Sequence, residues 1–316
     1  MKVINYMGLF FQPKYILVFV TLFLLSCQKE VPIKIAESDR KIVVNSVFSE
    51  GELFSAQVYR SNLVTDRIQA ALYLNNATVE IFSNNLLIDV LPLVENGYYQ
   101  SMDKRAEAGT SYTIQVSVSN LTTVTSSVQL LQPVPIVSFD SVGIVKDEYG
   151  YDVNKFNVTF PDPDPEKNYY RLSIAALVFY FNYDSLYQPV GDTLWGLQSI
   201  FVESNDPVVE ANDNGILYFS DLLFNGKNYE FEFTTGYYYN TNSKYLYAIL
   251  ENVSYDYYRY SVSLPAHYEA EDLKFFMEAV LVYNNITNGL GIFGSTAASM
   301  DSLYNSNFGK TIFYPY

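Results

Sequence analysis

Thr113-Ile114-Gln115-Val116-Ser117-Val118 alternates polar and apolar side chains at every position, as an antiparallel strand does when one face lies on a core and the other in water. Outward from it the same period of two recurs in short runs parted by Gly, Asn, Asp and Pro. The runs predict strands at 41–48, 53–60, 77–83, 86–91, 97–101, 111–119 and 122–131. Asn84-Asn85, set between two of them, predicts a tight hairpin turn. Seven short strands with frequent turns predict an immunoglobulin-like or transthyretin-like sandwich over residues 39–132, and periodicity does not choose between the two. The fold class expected is all-β.

The pattern breaks at Gln132-Pro133-Val134-Pro135, where each proline lacks an amide donor and holds its predecessor extended. Residues 133–136 are the expected linker, and 137–316 a second, β-rich domain. Strands are expected there at 136–145, 155–160, 169–183, 216–219, 228–235, 245–251 and 275–281. One segment departs from the period of two. Tyr257, Tyr258, Ser261, Val262 and Leu264 stand at near-helical spacing up to Pro265, so 255–271 predicts a short helix laid on the sheet.

The N-terminus reads as an export signal. Residues 1–26 carry Lys2 and Lys14, no acid, and an apolar run from Tyr15 to Leu25. That run is about half of the roughly 20 residues a spanning helix needs. It closes on Leu24-Leu25-Ser26-Cys27, a lipobox, so residues 1–26 are an expected signal peptide, Cys27 the expected lipidation site, and 27–38 a tether. Met7 could serve as the start in place of Met1 without changing the mature chain. Cys27 is the only cysteine, so no intrachain disulfide can form, and acylation accounts for a thiol otherwise left over in an exported protein. One acyl chain holds a protein marginally, whereas several acyl chains on one cysteine hold it firmly.

The formal charge is −15, and loss of Lys2 and Lys14 with the signal makes the body more acidic still. A field of that sign repels nucleic acid and anionic lipid surfaces. There are 30 Tyr and 22 Phe against one Trp and one His; Tyr suits half-wet strand faces because its ring packs while its hydroxyl meets water. His267, the sole histidine, stands without a nucleophile motif, and no Gly-x-Ser-x-Gly elbow, phosphate loop or His-Glu-x-x-His helix occurs. Asp162, Asp164 and Glu166 alternate with prolines and could offer three carboxylates to one calcium ion; the same residues also suit a polar connection between strands. Glu269, Glu271 and Asp272 could act as glycosidase acids only if the fold set two at the right separation. No cofactor is expected. Gly289, Gly291 and Gly294 free the backbone, while Leu290, Ile292 and Phe293 supply apolar anchors, so this stretch reads as a turn tucked under the sheet or as a docking loop for a partner.

Six pieces in order resemble one family: Leu25-Ser26-Cys27; Lys41-Ile42-Val43-Val44-Asn45; Asn168-Tyr169-Tyr170-Arg171-Leu172; Phe219-Ser220-Asp221 with Phe224-Asn225-Gly226-Lys227; Tyr257-Tyr258-Arg259-Tyr260; and the run from Tyr283 to Gly294. The chain resembles the Bacteroidetes outer-membrane lipoproteins that carry the domain of unknown function 4249. The resemblance implies two β-domains, no enzymatic activity, and the company of TonB-dependent transporters of the starch-utilisation type. It also implies that Gln28-Lys29-Glu30 is a reduced form of the signal that sends lipoproteins of that phylum to the cell surface. Asp140-Ser141-Val142, Asp184-Ser185-Leu186, Asp192-Thr193-Leu194 and Asp301-Ser302-Leu303 look like that phylum's short O-glycosylation motif. The function expected is therefore an accessory or partner-binding lipoprotein of a nutrient-uptake system, touching lipid through Cys27 and a transporter barrel through its loops. The alternatives are a surface glycan hydrolase using paired carboxylates and a structural envelope lipoprotein.

Overall fold

Ile42, Val44, Ser46 and Phe48 are buried while the residues between them stay half-exposed, so β1 (Ile42–Ser49) turns one face to a core and the other outward. The first half continues with β2 (Leu53–Arg60), β3 (Leu72–Tyr73), β4 (Thr78–Ser83), β5 (Leu86–Leu91), β6 (Leu93–Glu95), β7 (Tyr98–Arg105), β8 (Ser111–Ser117) and β9 (Val124–Gln129). The second half holds β10 (Ser138–Lys146), β11 (Asp152–Pro161), β12 (Tyr169–Tyr183), β13 (Pro189–Ile200), β14 (Val202–Glu203), β15 (Val209–Asp213), β16 (Ile216–Ser220), β17 (Asn228–Thr235) and β18 (Tyr245–Val253). Helix α1 (Tyr255–Asp272) and β19 (Leu290–Tyr304) follow. The structure is a computed structural model describing residues 40–62, 72–183, 188–235, 243–272, 278 and 280–304. The expected signal peptide, Cys27, Gln28, Lys29, Glu30 and the expected tether lie outside the described residues. So does most of the strand expected at 275–281, of which residues 278, 280 and 281 are described and belong to no strand.

The chain is all-β apart from α1, the one helix among the described residues. One 11-stranded sheet follows the path β15-β16-β12-β18-β19-β1-β2-β7-β6, with β13 on β12 and β3 on β2. Two four-stranded sheets, β5-β4-β8-β9 and β10-β11-β17-β14, pack against its two halves. Phe48, Phe54, Val79, Tyr112, Ile114 and Val116 fill the first core. Phe156, Phe160, Tyr170, Phe219, Phe231 and Phe233 fill the second. Residues 133–136 carry the chain from one core to the other, yet the large sheet runs unbroken past that point and Arg40–Tyr316 forms a single compact unit.

β19 makes that continuity. Its first half pairs parallel with β1, from Val43 opposite Leu290 to Ser49 opposite Thr296. Its second half pairs antiparallel with β18, from Val253 opposite Thr296 to Tyr245 opposite Tyr304. The glycine-rich segment expected as a buried turn or docking loop thus enters a central strand from Leu290 onward. Ile292 and Phe293 are buried, and the backbone of Leu290, Gly291, Ile292 and Phe293 is paired with β1. Leu290 alone among the apolar anchors is exposed. Gly291 has φ +109, and a Cβ there would run into the Val44 carbonyl, so only glycine lets these two strands meet.

α1 runs through Pro265, where the apolar spacing had ended. Its entry is tied to β19: the Ser295 amide donates to the Ser254 hydroxyl at 3.1 Å. The helix packs Tyr258 against Tyr169 and Tyr218 on the outer face of the large sheet. Beyond the helix that face continues across β13, β12, β18 and β19. The register sets Leu197 opposite Leu177, Ser199 opposite Ala175, Ala175 opposite Tyr247, Tyr247 opposite Ser302, Tyr245 opposite Tyr304, Ser173 opposite Ile249, and Ile249 opposite Met300. No helix among the described residues is long and apolar enough to cross a membrane.

Candidate functional site

Two loops that the sequence singled out, 161–168 and 219–227, come together where the two cores meet. Asp162 follows the last residue of β11, and its amide donates to the Lys227 carbonyl at 3.0 Å. Its carboxylate accepts the Tyr170 hydroxyl at 2.5 Å and the Gly226 amide at 2.8 Å. Gly226 has φ +72, and a Cβ there would come within 2.8 Å of Asp164 Cβ, so the loops could not close on a larger residue without shifting. Across the same contact the Asn168 amide donates to Asp221 Oδ2 at 2.7 Å, and the Asp221 amide returns a bond to the Asn168 carbonyl at 3.1 Å. The Asn168 side chain donates to the carbonyls of Pro163 and Glu166. Asn252 of β18 donates to Asn168 Oδ1 at 3.3 Å and to the Gln132 carbonyl at 3.1 Å, tying the residue before the expected linker into the network.

Asp162, Asn168, Asp221 and Asn252 are all buried. Burial pushes the Asp162 carboxyl above its usual range, against the bonds from Tyr170 and Gly226 that favour its charged form, and Asp221 and Asp164 add to the rise. Burial also pushes the Tyr170 hydroxyl far up, reinforced by the carboxylate it donates to. Each Asp162 oxygen already holds a donor, so the cluster braces two loops. A cleft of about 520 Å³ lies over it, lined by Pro133, Pro135, Pro163, Asp164, Glu166 and Asn252 among others.

Of the calcium candidates, Asp162 faces inward while Asp164 and Glu166 are exposed. Among the described residues no group of three or more His, Cys, Asp or Glu side chains could hold a metal ion. Their separation has a simple cause: Asp162 is drawn to Tyr170 and Gly226, while its neighbours stay in water. His267 Nδ1 lies 2.6 Å from the Val280 carbonyl on the far side of α1's proline. Glu269 is exposed, and the side chains of Glu271 and Asp272 lie outside the described residues. Ser141 and Ser302 are exposed on β10 and β19, whereas 184–186 and the side chains of 192–194 lie outside the described residues.

A second cleft, of about 460 Å³, opens between the β10–β11 turn and residues 203–207. Its lining is net acidic, with Asp147, Glu148, Glu203, Asp206 and Glu232 against Lys146 and Lys155, and part of that charge is matched within the protein. Lys155 meets Glu232 and Lys146 meets Asp152, each at 2.7 Å, and Tyr229 donates to Asp206 at 2.8 Å. Burial and the Asp206 carboxylate push the Tyr229 hydroxyl up. Sequence reading had not singled out this cleft, nor Asn252 as the link between Asn168 and residue 132, because no local pattern joins residues so far apart. Asn168, Asp221 and Gly226 stood in the quoted pieces without a role, and the fold supplies one.

A family profile described as Domain of unknown function (DUF4249) matches residues 28–302. The chain belongs to this family. The match spans both cores and β19 up to Ser302, so the DUF4249 domain is the doubled sandwich itself and not one of its halves. No curated protein matches the chain. Among solved structures it is similar to a DUF4785 family protein from Legionella pneumophila, at 10% identity and TM-score 0.24 over 68% of this chain and 51% of that one, so it spans about half that protein's length. It is also similar to a chain from a structure of manganese lipoxygenase of Gaeumannomyces graminis with partial zonadhesin of Komagataella pastoris, at 10% identity and TM-score 0.23 over 84% and 93%. At these TM-scores neither likeness bears on fold or function.

Proposed function

We propose that this DUF4249 chain is a non-enzymatic lipoprotein of the outer membrane, held by acyl chains on Cys27 and facing the cell exterior, which serves as an accessory or partner-binding component of a TonB-dependent nutrient-uptake system. One observation carries the non-enzymatic part. The buried carboxylates Asp162 and Asp221, beside the larger cleft, accept hydrogen bonds from Tyr170, Gly226 and Asn168, and so act as braces instead of as free acids or bases. Support for the anchor comes from Leu24-Leu25-Ser26-Cys27, and for outward display from Gln28-Lys29-Glu30.

The test is purification of the full-length protein from native outer membranes under mild detergent, followed by mass spectrometry. A transporter barrel should co-purify well above background and be lost with the Cys27→Ala variant, which should also leave the membrane fraction. Recovery of the wild-type protein alone would count against the accessory role, and membrane retention of Cys27→Ala would count against the anchor.

A further inference from the structure

The larger cleft, where residues 132–135 meet residues 161–168, holds an acceptor that has no donor. Asn252 lines this cleft and is 3% exposed. The orientation of its amide follows from its neighbours. The Asn168 side-chain nitrogen faces the carbonyls of Pro163 and Glu166, which only accept, so the Asn168 oxygen must be the atom turned to Asn252. The Asn252 nitrogen then spends its two hydrogens on that oxygen, at 3.3 Å, and on the Gln132 carbonyl, at 3.1 Å. Asn252 Oδ1 is left buried and unpartnered. A buried acceptor without a donor forfeits the hydrogen bond it had in water, and a donor arriving through the cleft restores it.

The rest of the lining asks for the same chemistry. Pro133, Pro135, Pro161 and Pro163 offer aliphatic rings and no amide donor. Asp164 and Glu166 are exposed at the mouth, and among the described residues neither forms an ion pair. Buried Asp162 adds its charge, and no basic residue lines the cleft. The acidic side chains do not converge as a metal site would, so a ligand that serves them carries its donors apart, along a chain. We propose that this cleft binds a linear aliphatic diamine in its doubly protonated form. One ammonium donates to Asn252 Oδ1 with the Asp162 charge close by, the methylenes lie on the proline rings, and the second ammonium meets Asp164 and Glu166. The volume of about 520 Å³ is that of a small-molecule site. An uncharged polyol would bring donors but leave the acidic charge unmatched, and an anion would be repelled. The proposal stands independently of the lipid anchor and of a transporter partner.

The test is calorimetric titration of the full-length protein, in a non-ionic detergent, with cadaverine and with the uncharged diol of the same chain length. Cadaverine should bind one to one and saturably at millimolar concentration or below, and more weakly as salt rises. The diol should bind at least about tenfold more weakly. Asp164→Asn combined with Glu166→Gln should cost cadaverine at least about tenfold in affinity. Both side chains are exposed, and an unchanged circular dichroism spectrum shows that the double variant remains folded. With asparagine isotopically labelled, the Asn252 side-chain carbonyl carbon should shift in NMR as cadaverine saturates, which places the ammonium at Oδ1. Absence of saturable binding, equal affinity for the diol, an affinity indifferent to salt or to the double variant, or an Asn252 carbon that stays in place at saturation would each overturn the proposal.

Discussion

Asp162 is where burial and hydrogen bonding oppose each other most directly. A carboxyl whose pKa is higher in the folded than in the unfolded chain holds its proton more readily when folded, so its contribution to stability is present below its ordinary 3.8 and is lost as pH rises through the folded value. The unfolding free energy of wild type minus that of Asp162→Asn should therefore fall as pH rises from acidic toward neutral; a difference that grows with pH would contradict the placement. Tyr170→Phe removes a bond that holds that carboxyl down. The Asp162 carboxyl carbon, followed by NMR, should then titrate at higher pH, with about 1–3 kcal/mol of stability lost because a buried acceptor loses its donor. Glycine 291 gives a second contrast at this scale. Gly51→Ala, at φ +76 in open space, should cost about 1–2 kcal/mol for left-handed geometry alone. Gly291→Ala adds a collision with the Val44 carbonyl, and its loss in denaturant titration should exceed about 3 kcal/mol, the range of clear structural faults.

Among the elements, the antiparallel strands are those most plainly written in the sequence. β2 and β5 carry the expected bounds, and Asn84 and Asn85 have φ 50 and 63, the doubly left-handed turn that a two-residue hairpin needs. Asn85→Gly should stabilise this hairpin by about 0.4–1 kcal/mol, read as a higher melting temperature, since glycine takes positive φ without a Cβ penalty. β19 is the longest of the elements that periodicity missed. Its buried run Ile292-Phe293-Gly294-Ser295-Thr296-Ala297 has no alternation because both faces are covered, by the first core on one side and by α1 on the other, where a Cβ at Gly294 would stand 2.6 Å from Tyr257 Cβ. Opposite β1, its edge is closed by a side chain: Asn285 accepts the Phe293 amide at 2.9 Å and donates to the Phe293 carbonyl at 2.8 Å. Asn285→Ala should leave both groups unpaired and cost about 2 kcal/mol, with faster amide exchange at Phe293. β13 was also missed, its glycines and mixed polarity giving no clear period, and pairing along β12 is what makes it a strand.

At the scale of the whole molecule, two cores share one sheet, and the first is completed from the far end of the chain by Ile286, Phe293 and Ala297. A fragment of residues 40–131 should therefore fail to give cooperative unfolding or dispersed NMR signals, while the same fragment joined to 284–304 should recover both. In the intact chain calorimetry should show a single transition, because neither core can open without exposing β19; two separate transitions would mean that the halves are independent. The sequence by itself determined the fold class, most antiparallel strands, the helix and the acidic, disulfide-free chemistry, because these follow from side-chain period and composition within a few residues. Only the tertiary structure decided that the two cores share one sheet, that Asp162 turns away from Asp164 and Glu166, and that the glycine segment is a central strand. Each of those rests on contacts between residues tens to hundreds of positions apart, such as Val44 with Gly291, where the fit of one backbone against another, and no local pattern, sets which arrangement can pack.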